Sequence, residues 1–191
     1  MIRDIINRIQ IELTAAFDDL DYWCKKSDDM LLNYSPANGG WAIRQILEHI
    51  SLTNHFLLIL IRKGTMKSIE VANNTEYSTL LIDYDLDWEK LKMIGEHRSF
   101  EWNRPQHMEP TSKIPLIEVQ EKLFEQKREC LSLLNQIPNG EGVLYKTMMS
   151  VNNLGKIDVY HYLYFLVQHI RRHLIQMTKV KLEFDDSKTK K

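Results

Sequence analysis

The sequence predicts an all-α protein built as a four-helix bundle. Four segments repeat their apolar residues at three- and four-residue steps, the period of a helix with one buried face. No convincing set of alternating strands competes with them, and an irregular stretch of about fifty residues separates the second segment from the third.

The elements follow in order. Ile2, Ile5, Ile6, Ile9, Leu13, Ala16, Phe17 and Leu20 define a first helix over about 2–26. NYSPANGG then ends regular structure, because Pro and paired Gly mark a loop. A second helix runs from about Trp41 to Arg62 on Ile43, Ile46, Leu47, Ile50, Leu57 and Ile61, with Gly64 as its natural stop. The connector over 64–114 is irregular apart from a short helix in DLDWEKLKMIGEH. Such a length suits a crossing from one end of a bundle to the other, which lets two successive long helices run parallel. Its Trp and Tyr residues suit a cover over the bundle mouth or a dimer surface. A third helix follows Pro115, with Leu116, Val119, Leu123, Phe124, Cys130, Leu131 and Leu134 on one side, and ends before Pro138. NGEG and VNNLG are loops, and VLYKTMM reads as a short extended piece with no evident partner. The fourth helix covers about 158–182, with Asp158 placed to accept hydrogen bonds from its first free N–H groups. Residues 1–184 thus form a single domain, and 185–191, ending in SKTKK, a disordered tail.

The totals exclude several functions. A formal net charge of -1 offers no field for phosphates, so no nucleic-acid partner is expected. Two distant cysteines, Cys24 and Cys130, are too few for a disulfide framework and point to a reducing compartment. The acid-containing start is unlike a signal peptide. The longest apolar run, FLLILI, falls far short of the roughly 20 residues a membrane span needs. A cytoplasmic protein without membrane partners is expected.

The chemistry concentrates in YFLVQHIRRHLIQM. His169 and His173 lie about 40° apart on a helix, on the stripe that also carries Tyr162, Phe165, Leu166, Gln176 and Val180. A single buried imidazole is commonly a core residue with a backbone partner. Two on one stripe are harder to satisfy, because the helix carbonyls are already bonded. Spacing i, i+4 brings two ring nitrogens to one point beside the helix, which is half of a metal site. The best third ligand is His49 in the second helix, whose face neighbours are Gln45, Leu52, Thr53 and Phe56. His55 points about 120° away and His161 about 80° off the His169 direction, so both read as structural or exposed. His97 and His107 fall in the connector, where no period fixes their direction. Carboxylates do not take part: neither E-x-x-H nor H-E-x-x-H occurs on the second or fourth helix, and Glu48 is about 100° from His49. What remains is a three-imidazole site with open positions.

YSPANGGWAIRQILEHI, followed much later by DVYHYLYFLVQHIRRHLIQM, resembles the DinB/YfiT-like superfamily. Trp41 stands where that family opens its second helix, His49 two turns on, and His169, His173 and Gln176 at its H-x-x-x-H and following Gln. The resemblance implies an up-down-down-up bundle with the long connector between helices two and three, often a homodimer. It also implies one divalent metal on His49, His169 and His173; imidazole ligation suits zinc, nickel, copper and iron alike, and zinc or nickel is the expectation. It includes bacillithiol S-transferases and mycothiol-dependent isomerases, and so points to a small thiol and an electrophilic substrate. No thiol-binding residue of the family can be matched here.

Three neutral imidazoles leave an ion its full charge, so it lowers the pKa of bound water to about 7 or holds a thiol as thiolate. The expectation is therefore a metal-dependent enzyme, a thiol (S-)transferase acting on small electrophiles. The alternatives are a metal-dependent hydrolase and a non-catalytic, stress-related metal-binding bundle. Gln176, Arg172 and Tyr162 are possible supports: a hydrogen bond to a ligand ring, a clamp for an anion and a phenolic proton donor. Each also has an ordinary reading, polar helix end, surface residue and core residue in turn. Trp41 reads as a core anchor.

Overall fold

Periodic burial produces six α-helices in the computed structural model, which describes residues 2–26, 28–96 and 105–189. Helix α1 (Ile2–Lys26) buries Ile5, Ile6, Ile9, Leu13, Ala16, Phe17 and Leu20, the face its spacing defines. A single turn, α2 (Asp29–Leu32), is capped by Asp28, whose carboxylate accepts from the Leu31 N–H at 2.7 Å. The other helices are α3 (Ile43–Ala72), α4 (Trp88–Gly95), α5 (Leu116–Asn135) and α6 (Val159–Thr189). Among the described residues the protein is all-α apart from one small hairpin.

The second long helix does not stop at Gly64. It continues to Ala72 and keeps Gly64, Thr65 and Ser68 buried. A Cβ on Gly64 would meet Cγ2 of Val159 at 2.9 Å, so this glycine lets α3 pass close to the first turn of α6. VLYKTMM does have a partner: β1 (Thr147–Met149) pairs antiparallel with β2 (Gly155–Ile157). Phe124 is 62% exposed, because the buried face of α5 runs through Val119, Leu123, Gln126, Cys130, Leu133 and Leu134. The last helix begins after Asp158, whose carboxylate accepts from the His161 N–H at 3.1 Å as its position suggests. It runs to Thr189 rather than to about 182.

Helix α6 is the centre of the molecule. Every residue from Tyr162 to Ile170 is buried, because α1, α3 and α4 all pack on it. Helix α5 packs against α1 and α3. Lys127 pairs with Asp18, Gln120 donates to Asp21 at 3.3 Å, Gln126 donates to the Ser51 carbonyl at 2.8 Å and Arg62 pairs with Glu129. Arg171 pairs with Glu12 at 2.9 Å.

The connector covers α6. Leu86, Leu91 and Ile94 are fully buried, and Trp88 meets Tyr164 edge to face at 4.7 Å. Tyr84 donates to Asp158 at 3.0 Å. Of the aromatic residues expected to cover the bundle mouth, Tyr84 and Trp88 thus lie against α6, and Trp102 lies outside the described residues. No helix of the described residues is long and apolar enough to cross a membrane.

Candidate metal centre

His49 projects from the second turn of α3, and His169 and His173 from successive turns of α6. All three are buried, at 5%, 1% and 9% exposure. Their ligand-capable atoms lie within 4.8 Å of one another, and the cluster is the one such group among the described residues. Nε2 of His169 and Nε2 of His173 are 3.1 Å apart. Two nitrogens that each sit about 2.0–2.1 Å from a shared ion are separated by about that much. The ring of His49 lies 5.3 Å from that of His169 and 4.8 Å from that of His173. The donor set fits a borderline transition metal, for which imidazole is the commonest ligand.

The outer nitrogens fix which inner atoms carry lone pairs. His49 Nδ1 donates to the Met108 carbonyl at 2.7 Å, and His173 Nδ1 donates to Gln176 Oε1 at 2.9 Å. Each ring is then an Nδ1–H tautomer with a basic Nε2, the pattern of histidines that bind metals. Burial pushes the His169 imidazole well below its usual range, and His173, His49 and Arg172 push it the same way. A neutral ring, the form that ligates, is favoured.

The cluster forms part of the wall of a cavity of about 660 Å³. Its other walls are largely apolar, with Trp41, Phe56, Leu57, Leu60, Met149 and Phe165 among them. Arg172 is the charged residue in that wall, and no Asp or Glu of the described residues lines it. Its guanidinium donates to the Glu96 carbonyl, at the end of α4. Burial lowers its pKa somewhat. Trp41 also belongs to the cavity, with its ring 4.9 Å from that of His49.

The other candidates lie elsewhere. The Tyr162 hydroxyl donates to the Met148 carbonyl at 3.1 Å and accepts from Thr147 Oγ1 at 2.9 Å, which ties α6 to β1 rather than to the cavity. His161 pairs with Asp158 at 2.8 Å. His55 is exposed beside Phe56, and the His107 ring lies 4.4 Å from that of Phe56. His97 lies outside the described residues.

Sequence reasoning missed the link between the connector and α3. Glu48, set aside as pointing away from the ligands, is 2% exposed. Its Oε1 accepts from the Thr111 N–H and hydroxyl, both at 2.8 Å, and its Oε2 from the Ser112 N–H at 2.9 Å. Gln45 adds a bond from Nε2 to Ser112 Oγ at 2.9 Å. The available signal was a carboxylate set among the buried Ile46, Leu47 and Ile50.

Fold and site together define a helical protein with a buried three-histidine cluster that can hold a metal ion. The family model described as the DinB superfamily matches residues 12–177, and the chain belongs to that superfamily. No curated protein and no solved structure matches it.

Proposed function

We propose that this protein is a metal-dependent thiol transferase, with His49, His169 and His173 as the ligands of one divalent ion. The observation that carries the metal reading is the convergence of three buried imidazoles, two of them tautomerically fixed by Met108 and Gln176. A divalent ion on neutral ligands supplies positive charge that lowers the pKa of a thiol brought to it.

Transfer of sulfur is favoured over hydrolysis by the cavity itself. Hydrolysis of an amide or ester on metal-bound water calls for a proton donor to the poor leaving group. No carboxylate of the described residues lines the cavity, and the Tyr162 phenol is committed to β1. Attack by a thiolate on carbon that bears a good leaving group needs no such donor. The thiol loses its proton to solvent, its sulfur forms a C–S bond, and the leaving group departs with its electron pair. The apolar walls hold the body of the electrophile and exclude water, and Arg172 offers an anchor for an anionic group. The sulfur comes from a cosubstrate, because both cysteines of the chain are buried.

We also infer the up-down-down-up order of the helices. Asp18 and Asp21 of α1 meet Lys127 and Gln120 of α5 in reverse order. Ser51 and Arg62 of α3 meet Gln126 and Glu129 of α5 in the same order. Gly64 of α3 faces Val159 while His49 faces His169 and His173, again in reverse order. That pattern supports parallel α3 and α5, with the connector carrying the chain back along the bundle.

The test couples metal content to turnover. Elemental analysis should find about one divalent ion per chain in the parent and little in His173→Ala. The loaded parent should consume 2-mercaptoethanol in the presence of 1-chloro-2,4-dinitrobenzene faster than buffer does, and chelation should abolish the excess. Full metal occupancy with no turnover across several thiols and electrophiles would leave a metal-binding protein without this activity.

A further inference from the structure

We infer that Glu48 is a positioning residue for the histidine cluster, acting through the connector on the tautomer and orientation of His49. The inference rests on the reading of His49 as a ligand. Glu48 and His49 are neighbours on α3 whose side chains leave the helix about 100° apart, so the carboxylate faces the connector while the ring faces the cluster. The carboxylate reaches Thr111 and Ser112 with three hydrogen bonds. The ring reaches the Met108 carbonyl. Both ends of the short segment 108–112 are therefore tied to two consecutive residues of one helix.

The chemistry of the clamp favours this role over simple packing. A buried carboxylate is costly unless its lone pairs are satisfied. All the donors that Glu48 uses come from the loop, and none is a Lys or Arg. An apolar residue would fill this buried position without that cost, but it would not hold the loop. Ser112 adopts φ 60°, a left-handed conformation uncommon for serine, and its bonds to Glu48 and Gln45 hold it there. Met108 sits three residues before Thr111, so the clamp limits how far its carbonyl can move. With the carbonyl fixed, His49 must keep its proton on Nδ1 and its lone pair on Nε2. Released from the carbonyl, an imidazole samples both tautomers, and part of the population offers the ion no lone pair at Nε2.

The experiment reads tautomer and zinc affinity separately. Long-range ¹⁵N–¹H spectra of the metal-free protein should show His49 as a single Nδ1–H tautomer. In Glu48→Ala the Nε2–H form should appear, and the zinc dissociation constant, measured against a chromophoric chelator, should rise about 10–100-fold. Glu48→Gln should fall between, since it keeps an acceptor for Thr111 but turns a donor towards the Ser112 N–H. Thr111→Val, which removes the hydroxyl's bond to Glu48 and the one it accepts from the Lys113 N–H but keeps both backbone bonds to Glu48, should shift both readouts less, and it serves if Glu48→Ala does not fold. Circular dichroism showing parental helix content separates these effects from unfolding. A folded Glu48→Ala with an unchanged His49 tautomer and unchanged zinc affinity overturns the inference and leaves the metal site standing. A parent that binds no zinc, with the tautomer still dependent on Glu48, overturns the proposed metal function and leaves the clamp standing.

Discussion

Burial makes a cysteine a poor nucleophile, because the thiolate is the reactive form and needs solvation. Burial pushes the Cys24 thiol up to about 12, with Asp21 adding to the effect, and burial pushes the Cys130 thiol up as well. A raised pKa lowers the thiolate fraction at any pH below it. Against an ordinary thiol near 8.5, a shift to about 12 leaves roughly a thousandth of the thiolate at pH 8. Both cysteines should therefore resist dithionitrobenzoate in the native protein at pH 8, and both should react at once in guanidinium chloride. Fast labelling of either in the folded chain would make it a candidate nucleophile and remove the need for an external thiol. The histidine cluster was legible at this same scale. An i, i+4 pair on an apolar stripe has few other ways to satisfy its nitrogens, and His49 was the helical histidine with a suitable face. The clamp was not legible, because two of the donors that Glu48 uses are backbone N–H groups of a loop. Backbone donors leave no trace in residue type.

At the scale of elements, apolar period located the four long helices because α1, α3 and α5 each have one dominant buried face and the C-terminal half of α6 has one too. It misjudged their ends where a residue's role depends on a distant neighbour. Gly64 reads locally as a stop, yet its purpose is set by Val159, which the fold brings to 2.9 Å from where a Cβ would sit. The hairpin escaped notice because its strands are three residues each, too short for an alternating pattern to register. The glycine can be tested directly. Gly64→Ala gains about 1 kcal/mol of helix propensity at an interior position. It also forces a methyl against a β-branched side chain that is stiff at χ1, which costs about 1–3 kcal/mol. The substitution should lower the thermal midpoint. Val159→Ala should lower it too, by leaving a void, but the double variant should be more stable than the two losses added together predict. Calorimetry of the four proteins checks this, and strictly additive losses would mean that the two residues do not meet.

For the whole molecule, the cluster joins two helices whose histidines stand more than a hundred residues apart in sequence. An ion held there binds the folded chain and has no preformed site in the unfolded one. Its binding free energy is therefore folding free energy. At a free concentration of 100 times the dissociation constant the gain is about 2.7 kcal/mol. In a chain of this size each kcal/mol moves the midpoint by about 2–4 °C, so zinc should raise it by about 5–10 °C over the chelated protein. Nickel should act in the same sense. Magnesium should not, because it is a hard cation that prefers oxygen, and the cluster presents three imidazole nitrogens. His173→Ala should lose most of the zinc shift, since two imidazoles cannot hold the ion as three do. Scanning calorimetry of chelator-stripped parent and variant, with each metal in turn, separates a true site from zinc adsorbed on the surface, which would shift both proteins alike. An equal shift in parent and variant, or none in either, would mean that the meeting of α3 and α6 at these rings is packing and no more.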